Sequence, residues 1–248
     1  MTSLSPRLLH EQNRPESQSG PCTGCIGRSL NLCGALTDAQ LPELLALGSR
    51  RHWRRRDILF RAGDPATSFF KITRGLVAVS HTLDDGRRQI VALRLAGDCV
   101  GFLHTDGRYT FEGHALTDVE ACAFSRRRFD ELAQRHPALA AATADTLVRA
   151  QREASQLVAA MGQLRSTERV AFFFAKMHAL YASRFGDAPS VGLDMNRGEI
   201  GDYLGLTIET VSRSIAKLRK RGLISLPHGN EVVIENIEGL RQLGKFTP

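Results

Sequence analysis

The segment 196–218 constrains the fold of this chain most strongly, because its cap and turn residues define two short helices. Asn196 and Glu199 have the spacing of a capping box, which satisfies the free backbone amides at a helix N-terminus. Gly205 provides the backbone freedom that a tight turn requires. Thr207 is a typical N-cap residue for the second helix. The segment therefore predicts a helix, a tight turn and a second helix.

The second helix separates apolar from polar residues. Apolar side chains recur at steps of three, four and three, which predicts a buried face formed by Ile208, Val211, Ile215 and Leu218. Side chains on the opposite face of such a helix can reach base edges in the major groove of DNA. The predicted DNA contacts are Thr207, Glu209, Thr210, Ser212, Arg213 and Lys217. An ordinary surface helix of mixed charge is the alternative interpretation.

Positive charge and a C-terminal hairpin pattern extend the DNA-binding prediction. The formal net charge of +7 favours a polyanionic partner. The basic run Lys217–Arg221 continues the second helix and is expected to meet phosphates. A second basic run, Arg50–Arg56, is interpreted as a solvated face. Apolar stretches on both sides of His228-Gly229-Asn230 predict a small hairpin, so residues 166–248 are interpreted as a winged helix-turn-helix domain.

Short apolar segments separated by turn residues occupy the region from about Arg51 to Ser125. One pair of segments flanks Asp84-Asp85-Gly86, which has the composition of a hairpin turn. Strands at such close spacing are typical of a jelly roll, or β-roll. We therefore predict a β-roll domain at residues 37–136. The fold class is α+β, with a β-roll followed by a long helix and the winged domain.

A long helix is predicted at residues 137–165, because Pro137 can occupy the first helical position and no Gly or Pro follows before Gly162. Residues at alternating steps of four and three form a heptad seam, which favours pairing with a second copy of the chain. The seam comprises Thr143, Leu147, Ala150, Ala154, Leu157, Met161 and Leu164. A second face of small residues, Ala140, Ala144 and Val148, is expected to pack on the β domain.

The N-terminal region combines a polar leader with a cluster of cysteines. Residues 1–20 lack the hydrophobic stretch of a secretory signal and are expected to be disordered. No apolar run approaches the length of a membrane span, so a cytoplasmic location is predicted. In a reducing compartment, five cysteines favour metal or redox chemistry over disulfides. Cys22, Cys25 and Cys33, in the segment 21–36, with one distant cysteine could bind either zinc or an iron–sulfur cluster.

The segment Asp202–Arg213 closely resembles the helix-turn-helix of the CRP/FNR superfamily of bacterial transcription regulators. The resemblance extends over nearly the whole chain as a β-roll, a dimer helix and a winged domain. The spacing of Glu209, Ser212 and Arg213 is similar to that of the FNR branch. Membership of that branch implies a homodimer that reads double-stranded DNA at a palindrome of TTGAT-type half-sites. It also implies contact with RNA polymerase, which is expected at the turn Thr82–Arg88.

The same resemblance implies an oxygen-labile 4Fe–4S cluster held by three N-terminal cysteines and one from the β-roll. The segment Ala115–Cys122 is similar to the family segment that ends in the fourth ligand. The implied ligands are Cys22, Cys25, Cys33 and Cys122. Cys99 lies where relatives usually carry an apolar residue, so it is expected to be a small buried side chain. The gap between Cys25 and Cys33 is longer than in the best-known FNR.

Other functions are disfavoured by what the chain lacks. The stretch 100–106 has no glutamate and no following Arg-Ser pair of the kind that holds a cyclic nucleotide. Paired catalytic carboxylates, a nucleophile elbow and a phosphate loop are also missing, so no enzyme is predicted. A regulator of the same family with structural zinc or no metal is the alternative. The seam carries no acidic residue, although Glu153 flanks Ala154, which predicts a dimer that persists without its cluster.

Overall fold

The structure is a computed structural model that describes Cys22 and residues 24–102, 104–186, 190–192, 194–227 and 231–247. The predicted leader, residues 1–20, lies outside the described residues. The described chain divides into two compact units, the first ending at Glu153 and the second starting at Ala154. The boundary falls inside one long helix.

The first unit contains two antiparallel sheets, each of four described strands. One sheet has the strand order β1-β10-β3-β6 and the other has the order β2-β9-β4-β5, while β7 pairs with β8. The strands are β1 (Gly48–Trp53), β2 (Ile58–Phe60), β3 (Ser68–Arg74), β4 (Val77–Thr82), β5 (Arg88–Arg94), β6 (Cys99–Val100), β7 (His104–Thr105), β8 (Arg108–Tyr109), β9 (Glu112–Ala115) and β10 (Val119–Ser125). Paired sheets of this kind confirm the predicted β-rich domain.

Short helices and a tight hairpin complete the first unit. The helices are a 3-10 helix (Ile26–Ser29), α1 (Asn31–Gly34), α2 (Leu41–Leu45) and α3 (Arg126–Arg135). The predicted hairpin turn joins β4 to β5, and its Gly86 adopts a φ of 85° that favours glycine. Asp85 accepts a hydrogen bond of 2.8 Å from the Arg87 guanidinium, which braces the turn.

Two apolar clusters form the core of the first unit. Phe69 is completely buried in one of them, where its ring centroid lies 4.3 Å from that of Phe102 and 4.7 Å from that of Phe129. Truncating a ring buried in this way to alanine costs about 3–5 kcal/mol. Phe60, Phe70 and neighbouring side chains form the other cluster. The aromatic side chains therefore supply much of the packing that holds strands and helices of the unit together.

The long helix α4 (Pro137–Gln163) begins at the predicted proline and ends slightly before residue 165. Two polar contacts tie it to the rest of the first unit. Arg94 of β5 donates a hydrogen bond of 2.5 Å to the carboxylate of Glu153. Arg149 donates to the side-chain oxygen of Asn31 in α1. The N-terminal part of the helix is thereby attached to both the β-roll and the segment that carries the cysteines.

The second unit is mainly helical, with α5 (Ser166–Phe185) at its centre. Phe172, Phe173 and Phe174 of this helix are all buried. The other elements are α6 (Arg197–Leu204), α7 (Ile208–Lys220), α8 (Ile237–Gly244), β11 (Ser190–Gly192), β12 (Ile224–Ser225) and β13 (Glu231–Ile234). The three strands pair in the order β11-β13-β12, and the predicted hairpin residues 228–230 lie outside the described residues. Within the described chain, no helix is both long and apolar enough to cross a membrane.

Candidate DNA-reading surface and cysteine site

The start of α6 is fixed by reciprocal hydrogen bonds between a side chain and the backbone. The Glu199 amide donates to the Asn196 side-chain oxygen at 2.9 Å, and the Asn196 amide donates to the Glu199 carboxylate at 2.7 Å. These bonds satisfy two backbone amides that the helix itself leaves without acceptors. The predicted capping box is therefore present.

The turn between α6 and α7 depends on two glycines. Gly205 adopts the left-handed conformation, with φ of 63° and ψ of 45°. A Cβ atom on Gly201 would lie 2.5 Å from the Leu206 carbonyl oxygen, so only glycine permits this close approach. The Thr207 hydroxyl then accepts a hydrogen bond of 3.3 Å from the Thr210 amide and caps α7. Local sequence thus sets the angle at which α7 leaves the turn.

The helix α7 presents most of the predicted DNA contacts to solvent. The exposed members of that set are Thr207, Glu209, Ser212, Arg213 and Lys217, while Thr210 is half-buried. Arg213 donates to the Thr210 hydroxyl at 3.2 Å, which restrains the guanidinium near the N-terminal half of the helix. A hydrogen bond from its own amide, and then the Thr207 hydroxyl and the charge of Arg213, lower the pKa of Glu209. Glu209 is therefore an ionised acceptor beside a cationic donor.

One residue of the predicted buried face lies outside it. Val211, Ile215 and Leu218 are buried, but the Ile208 side chain is 55% exposed. The prediction for Ile208 was wrong because helical spacing does not show whether a neighbouring element covers the first turn. Ile208 begins α7 and lies near Gly198, which has no side chain to cover it: a Cβ atom on that glycine would be 3.7 Å from Ile208 Cδ1. An apolar side chain thus stands among the exposed polar ones.

The four cysteines of the implied cluster come from two distant parts of the first unit. Cys22 lies in a turn closed by a hydrogen bond from the Cys25 amide, Cys25 precedes the 3-10 helix, and Cys33 is buried in α1. Cys122 lies within β10. All of these are free thiols, as is Cys99 in β6.

Packing and electrostatics place these thiols in one neighbourhood. Cys22, Cys33 and Cys122 pack in the same apolar cluster as Phe69. Burial first, and then the neighbouring thiols of Cys25, Cys33 and Cys22, raise the pKa of Cys122 to about 11. Among the described residues, however, no group of three or more side chains has metal-binding geometry. The thiols are therefore close enough to interact, although they are not arranged as ligands.

Cys99 lies in the same apolar cluster as Cys33 but interacts with fewer of the other thiols. It is buried, and burial raises the pKa of its thiol to about 12. Of the other four thiols, only that of Cys33 contributes to this shift. Cys99 is thus the small buried side chain that its sequence position predicts.

The comparisons with known proteins match both units. The chain matches the family models of the cyclic nucleotide-binding domain over residues 50–136 and of the Crp-like helix-turn-helix domain over residues 168–243. The nitrogen fixation regulation protein FixK of Bradyrhizobium diazoefficiens is 34% identical over 208 residues, covering 84% of this chain and 87% of that protein. The chain belongs to the CRP/FNR superfamily of transcription regulators.

Further CRP/FNR proteins give the same result. The transcriptional activator protein Anr of Pseudomonas aeruginosa is 32% identical, with 88% of this chain and 90% of that protein covered. The solved structure of FixK2 from Bradyrhizobium japonicum has a TM-score of 0.74 and 28% identity, with 81% of this chain and 99% of that chain covered. The family consists of DNA-binding regulators rather than enzymes, so the functional class predicted for this chain is confirmed.

The model matched by the β-roll is named for cyclic nucleotides, whereas the similar protein FixK is named as a nitrogen fixation regulation protein. In this member the stretch 100–106 contains no glutamate that could hold a ribose. Gly101 has a φ of 82° and a Cβ there would lie 3.3 Å from the Tyr109 ring, so the backbone turns tightly against the sheet. The prediction that this CRP/FNR regulator does not bind a cyclic nucleotide stands as a prediction.

The helix α4 of this CRP/FNR regulator was predicted to form the dimer, but its most exposed apolar residues are not those of the predicted seam. Of the seam residues, Leu147 is 40% exposed but Leu157 is buried within the chain. Ala150, Ala154 and Met161 are half-buried. The residues expected to face the β domain, Ala140, Ala144 and Val148, are exposed, and Val158 is 65% exposed. That expectation was wrong, because neighbouring heptad stripes have similar composition and the spacing alone does not choose between them.

Sequence reasoning also missed residues around the cysteines. Lys71 is almost completely buried in β3, and the sequence signal was a lysine inside the apolar stretch Phe69–Ile72. Asn31 has a φ of 52° and donates to the Gly97 carbonyl at 2.7 Å. Asparagine often adopts this left-handed conformation, but the sequence does not indicate that the Asn31 side chain binds Arg149.

Proposed function

We propose that this regulator is an oxygen-responsive activator that holds a 4Fe–4S cluster on Cys22, Cys25, Cys33 and Cys122. The observation that carries the proposal is that Cys22, Cys33 and Cys122 contact one apolar cluster, which also includes Cys99, and that Cys25 is close enough to help raise the pKa of the Cys122 thiol. Four thiolates are the usual ligands of such a cluster.

The residues around the thiols fit this group chemically. A Cβ atom on Gly34 would lie 2.6 Å from the Ser29 carbonyl, so glycine allows the chain to fold tightly between Cys25 and Cys33. The apolar side chains of the surrounding cluster bury Cys33, while Cys22, Cys25 and Cys122 remain partly exposed. Because the described thiols lack ligand geometry, the proposal requires the cysteine segment to close on Cys122 when the group binds.

The chain provides a route from the cysteine segment to the dimer helix. A bound cluster supplies oxygen-reactive iron and sulfide, while the chain's own residues hold and report its state. Asn31, between Cys25 and Cys33, contacts the Gly97 carbonyl on one side and Arg149 of α4 on the other. A shift of the cysteine segment therefore acts on α4 through a hydrogen-bonded side chain.

Pairing of α4 with a second copy would bring two DNA-reading helices together. The exposed apolar residues Val148 and Val158 lie on one face by helical spacing, together with Ala144, Gln151 and Ser155. This stripe is displaced by one position from the predicted seam. It contains no acidic residue, and Glu153 is bound to Arg94.

The lack of acidic residues in this stripe and the pairing of Glu153 with Arg94 both favour a dimer that persists after loss of the cluster. Sedimentation of air-exposed protein at micromolar concentration should show a dimer, and a clean monomer would contradict this. Val158→Glu should yield a monomer, because it places like charges opposite each other in the paired stripe.

The DNA target is proposed to be a palindrome of TTGAT-type half-sites. Arg213 donates to guanine N7 and O6, and ionised Glu209 accepts from a cytosine amino group. The exposed Ile208 offers an apolar contact to a thymine methyl group. Lys217 and the basic residues after it meet phosphates, which raises affinity without reading sequence.

Contact with RNA polymerase is proposed for the β4–β5 turn, Thr82–Arg88. Leu83 in this turn is 45% exposed and the neighbouring Asp85 and Arg87 form an exposed ion pair. An apolar side chain with a charged rim is a common feature of protein contacts. Leu83→Ala should reduce transcription from a target promoter in vitro while leaving DNA affinity unchanged.

Purification without oxygen tests the proposed cofactor. The protein should be brown and contain iron and sulfide, with both lost in air. A colourless protein with one zinc ion per chain that is unchanged by air would instead identify a regulator with structural zinc. Protein that is free of both metals would identify a regulator controlled in another way.

A further inference from the structure

One row of side chains crosses the sheet beneath the cysteine segment. In the antiparallel registers, Arg50 of β1 is opposite Cys122 of β10, Cys122 is opposite Lys71 of β3, and Lys71 is opposite Cys99 of β6. Directly opposite residues place their side chains on the same face of a sheet. Cys122 therefore has a cation on each side.

The two cations differ in their exposure to water. Lys71 is only 1% exposed, whereas Arg50 is exposed. The Lys71 ammonium donates to the Leu30 carbonyl at 2.7 Å and to the Gly97 carbonyl at 3.1 Å. Its side chain packs against the backbone of the cysteine segment at Gly27. If Gly27 carried a Cβ atom, that atom would lie only 2.9 Å from Lys71 Cε.

A buried ammonium group needs a compensating negative charge. Carbonyl oxygens solvate it only partly, and an isolated buried charge is strongly unfavourable. Among the residues that the structure describes, no carboxylate forms an ion pair with Lys71. Its neighbours across the sheet are thiols, because Lys71 lies opposite Cys122 on one side and Cys99 on the other. Burial raises the pKa values of Cys33, Cys22 and Cys99, and the charge of Lys71 opposes that rise.

We propose that the positive charge of Lys71 compensates the negative charge of the metal-bound thiolates. This inference rests on the proposed function only in taking Cys22, Cys25, Cys33 and Cys122 as a thiolate site. Four thiolates outweigh the positive charge of a divalent metal ion, and likewise that of an iron–sulfur core. Lys71 acts on them through a low-dielectric interior, where its charge is screened far less than that of Arg50.

Substitutions at Lys71 separate its charge from its hydrogen bonds. Lys71→Gln removes the charge and keeps two N–H donors for the carbonyls, Lys71→Met removes both, and Lys71→Arg keeps the charge. Arg50→Gln is the matched control, because Arg50 flanks the same Cys122 from the solvent side. Thermal unfolding of each metal-free protein first shows that it is folded.

The measurement is the dissociation constant of Cd²⁺ for metal-free protein, followed by thiolate absorption. Lys71→Gln and Lys71→Met should each weaken Cd²⁺ binding by at least about tenfold. Lys71→Arg and Arg50→Gln should remain within about threefold of the unchanged protein. In protein loaded with iron and sulfide, Lys71→Gln should also lower the reduction potential, because a nearby cation favours the more negative reduced state.

The outcomes distinguish this inference from the proposed function. If Lys71→Gln binds Cd²⁺ normally and only Lys71→Met binds it more weakly, the site depends on the hydrogen bonds of Lys71 and not on its charge. That result overturns the inference. An equal loss in Arg50→Gln would overturn it too, as would the absence of Cd²⁺ binding by the unchanged protein. If Cd²⁺ affinity depends on Lys71 but anaerobic protein holds no iron or sulfide, the inference stands and the proposed function fails.

Discussion

The DNA-reading surface and the cysteine site are assembled in opposite ways. In α6 and α7 the caps join residues three positions apart, at Asn196 and at Thr207, and one longer contact, from Arg169 to the Leu204 carbonyl, supports the turn. The cysteine site instead joins Cys22, Cys25 and Cys33 to Cys122, which reaches them only through the registers of β10 with β1 and β3.

Local contacts suit the DNA-reading surface, which must keep one shape, whereas contacts between distant segments suit a sensing site, which must be able to change. Caps and turns are satisfied whenever α6 and α7 fold, so we expect the reading surface to keep its shape with or without a group bound at the cysteine site. A site closed by distant segments exists only while both segments are in place, which makes it suitable for a sensor. In this chain, the hydrogen bond between Asn31 and Arg149 connects the cysteine segment to α4, the helix proposed to form the dimer.

The largest expected effect concerns the distant member of the cysteine site. Cys122→Ser should abolish bound iron, because the remaining thiols come from one short segment that cannot complete the site alone. Cys99→Ser is the matched control, since Cys99 is also a strand cysteine in the same unit but interacts with Cys33 alone among the thiols. Iron and sulfide analysis of anaerobic protein measures both, and the reverse result would exchange the roles of the two cysteines.

A smaller effect is expected on the reading surface. Arg213→Ala should weaken binding by about 1–3 kcal/mol and relax base preference at one position of each half-site. Binding titrations with a set of substituted half-sites check this, with Lys217→Ala as the control. That variant should weaken all sequences similarly and reduce the salt dependence, as expected of a phosphate contact. An unchanged site preference in Arg213→Ala would exclude the base contact.

The smallest effect tests whether the reading surface is determined locally. Asn196→Ala removes the α6 cap and should lower the free energy of unfolding by about 1 kcal/mol. Chemical denaturation measures this loss, and bound iron should remain unchanged because the cap makes no contact with the cysteine segment. A parallel loss of iron would show that the two regions are not separable in this way.

The same contrast explains how much could be predicted from sequence. The capping box, Gly205 and the Thr207 cap were predictable because each depends on residues close in the chain. The β-roll was predictable from regular turn signals, although its strand registers were not. Strand register depends on which distant residues pair. The sequence therefore could not predict that Arg50, Cys122 and Lys71 are neighbours across the sheet.

Two errors have a shared physical cause. Ile208 was expected to be buried and Val148 was expected to face the β domain, yet both are exposed. Helical spacing identifies which residues share a face, but neighbouring elements decide whether that face is covered. Lys71 is the converse case, a charged residue type that is usually at the surface and is here buried under the cysteine segment.

The most direct test of the central claim is DNA affinity measured on one preparation before and after exposure to air, with iron and sulfide determined in parallel. We predict tight binding to a palindromic TTGAT-type site by iron-loaded anaerobic protein. We also predict a large loss of affinity that follows the loss of sulfide. Equal affinity before and after exposure, or a loss of affinity that precedes any change in iron and sulfide, would contradict oxygen sensing by the cysteine site.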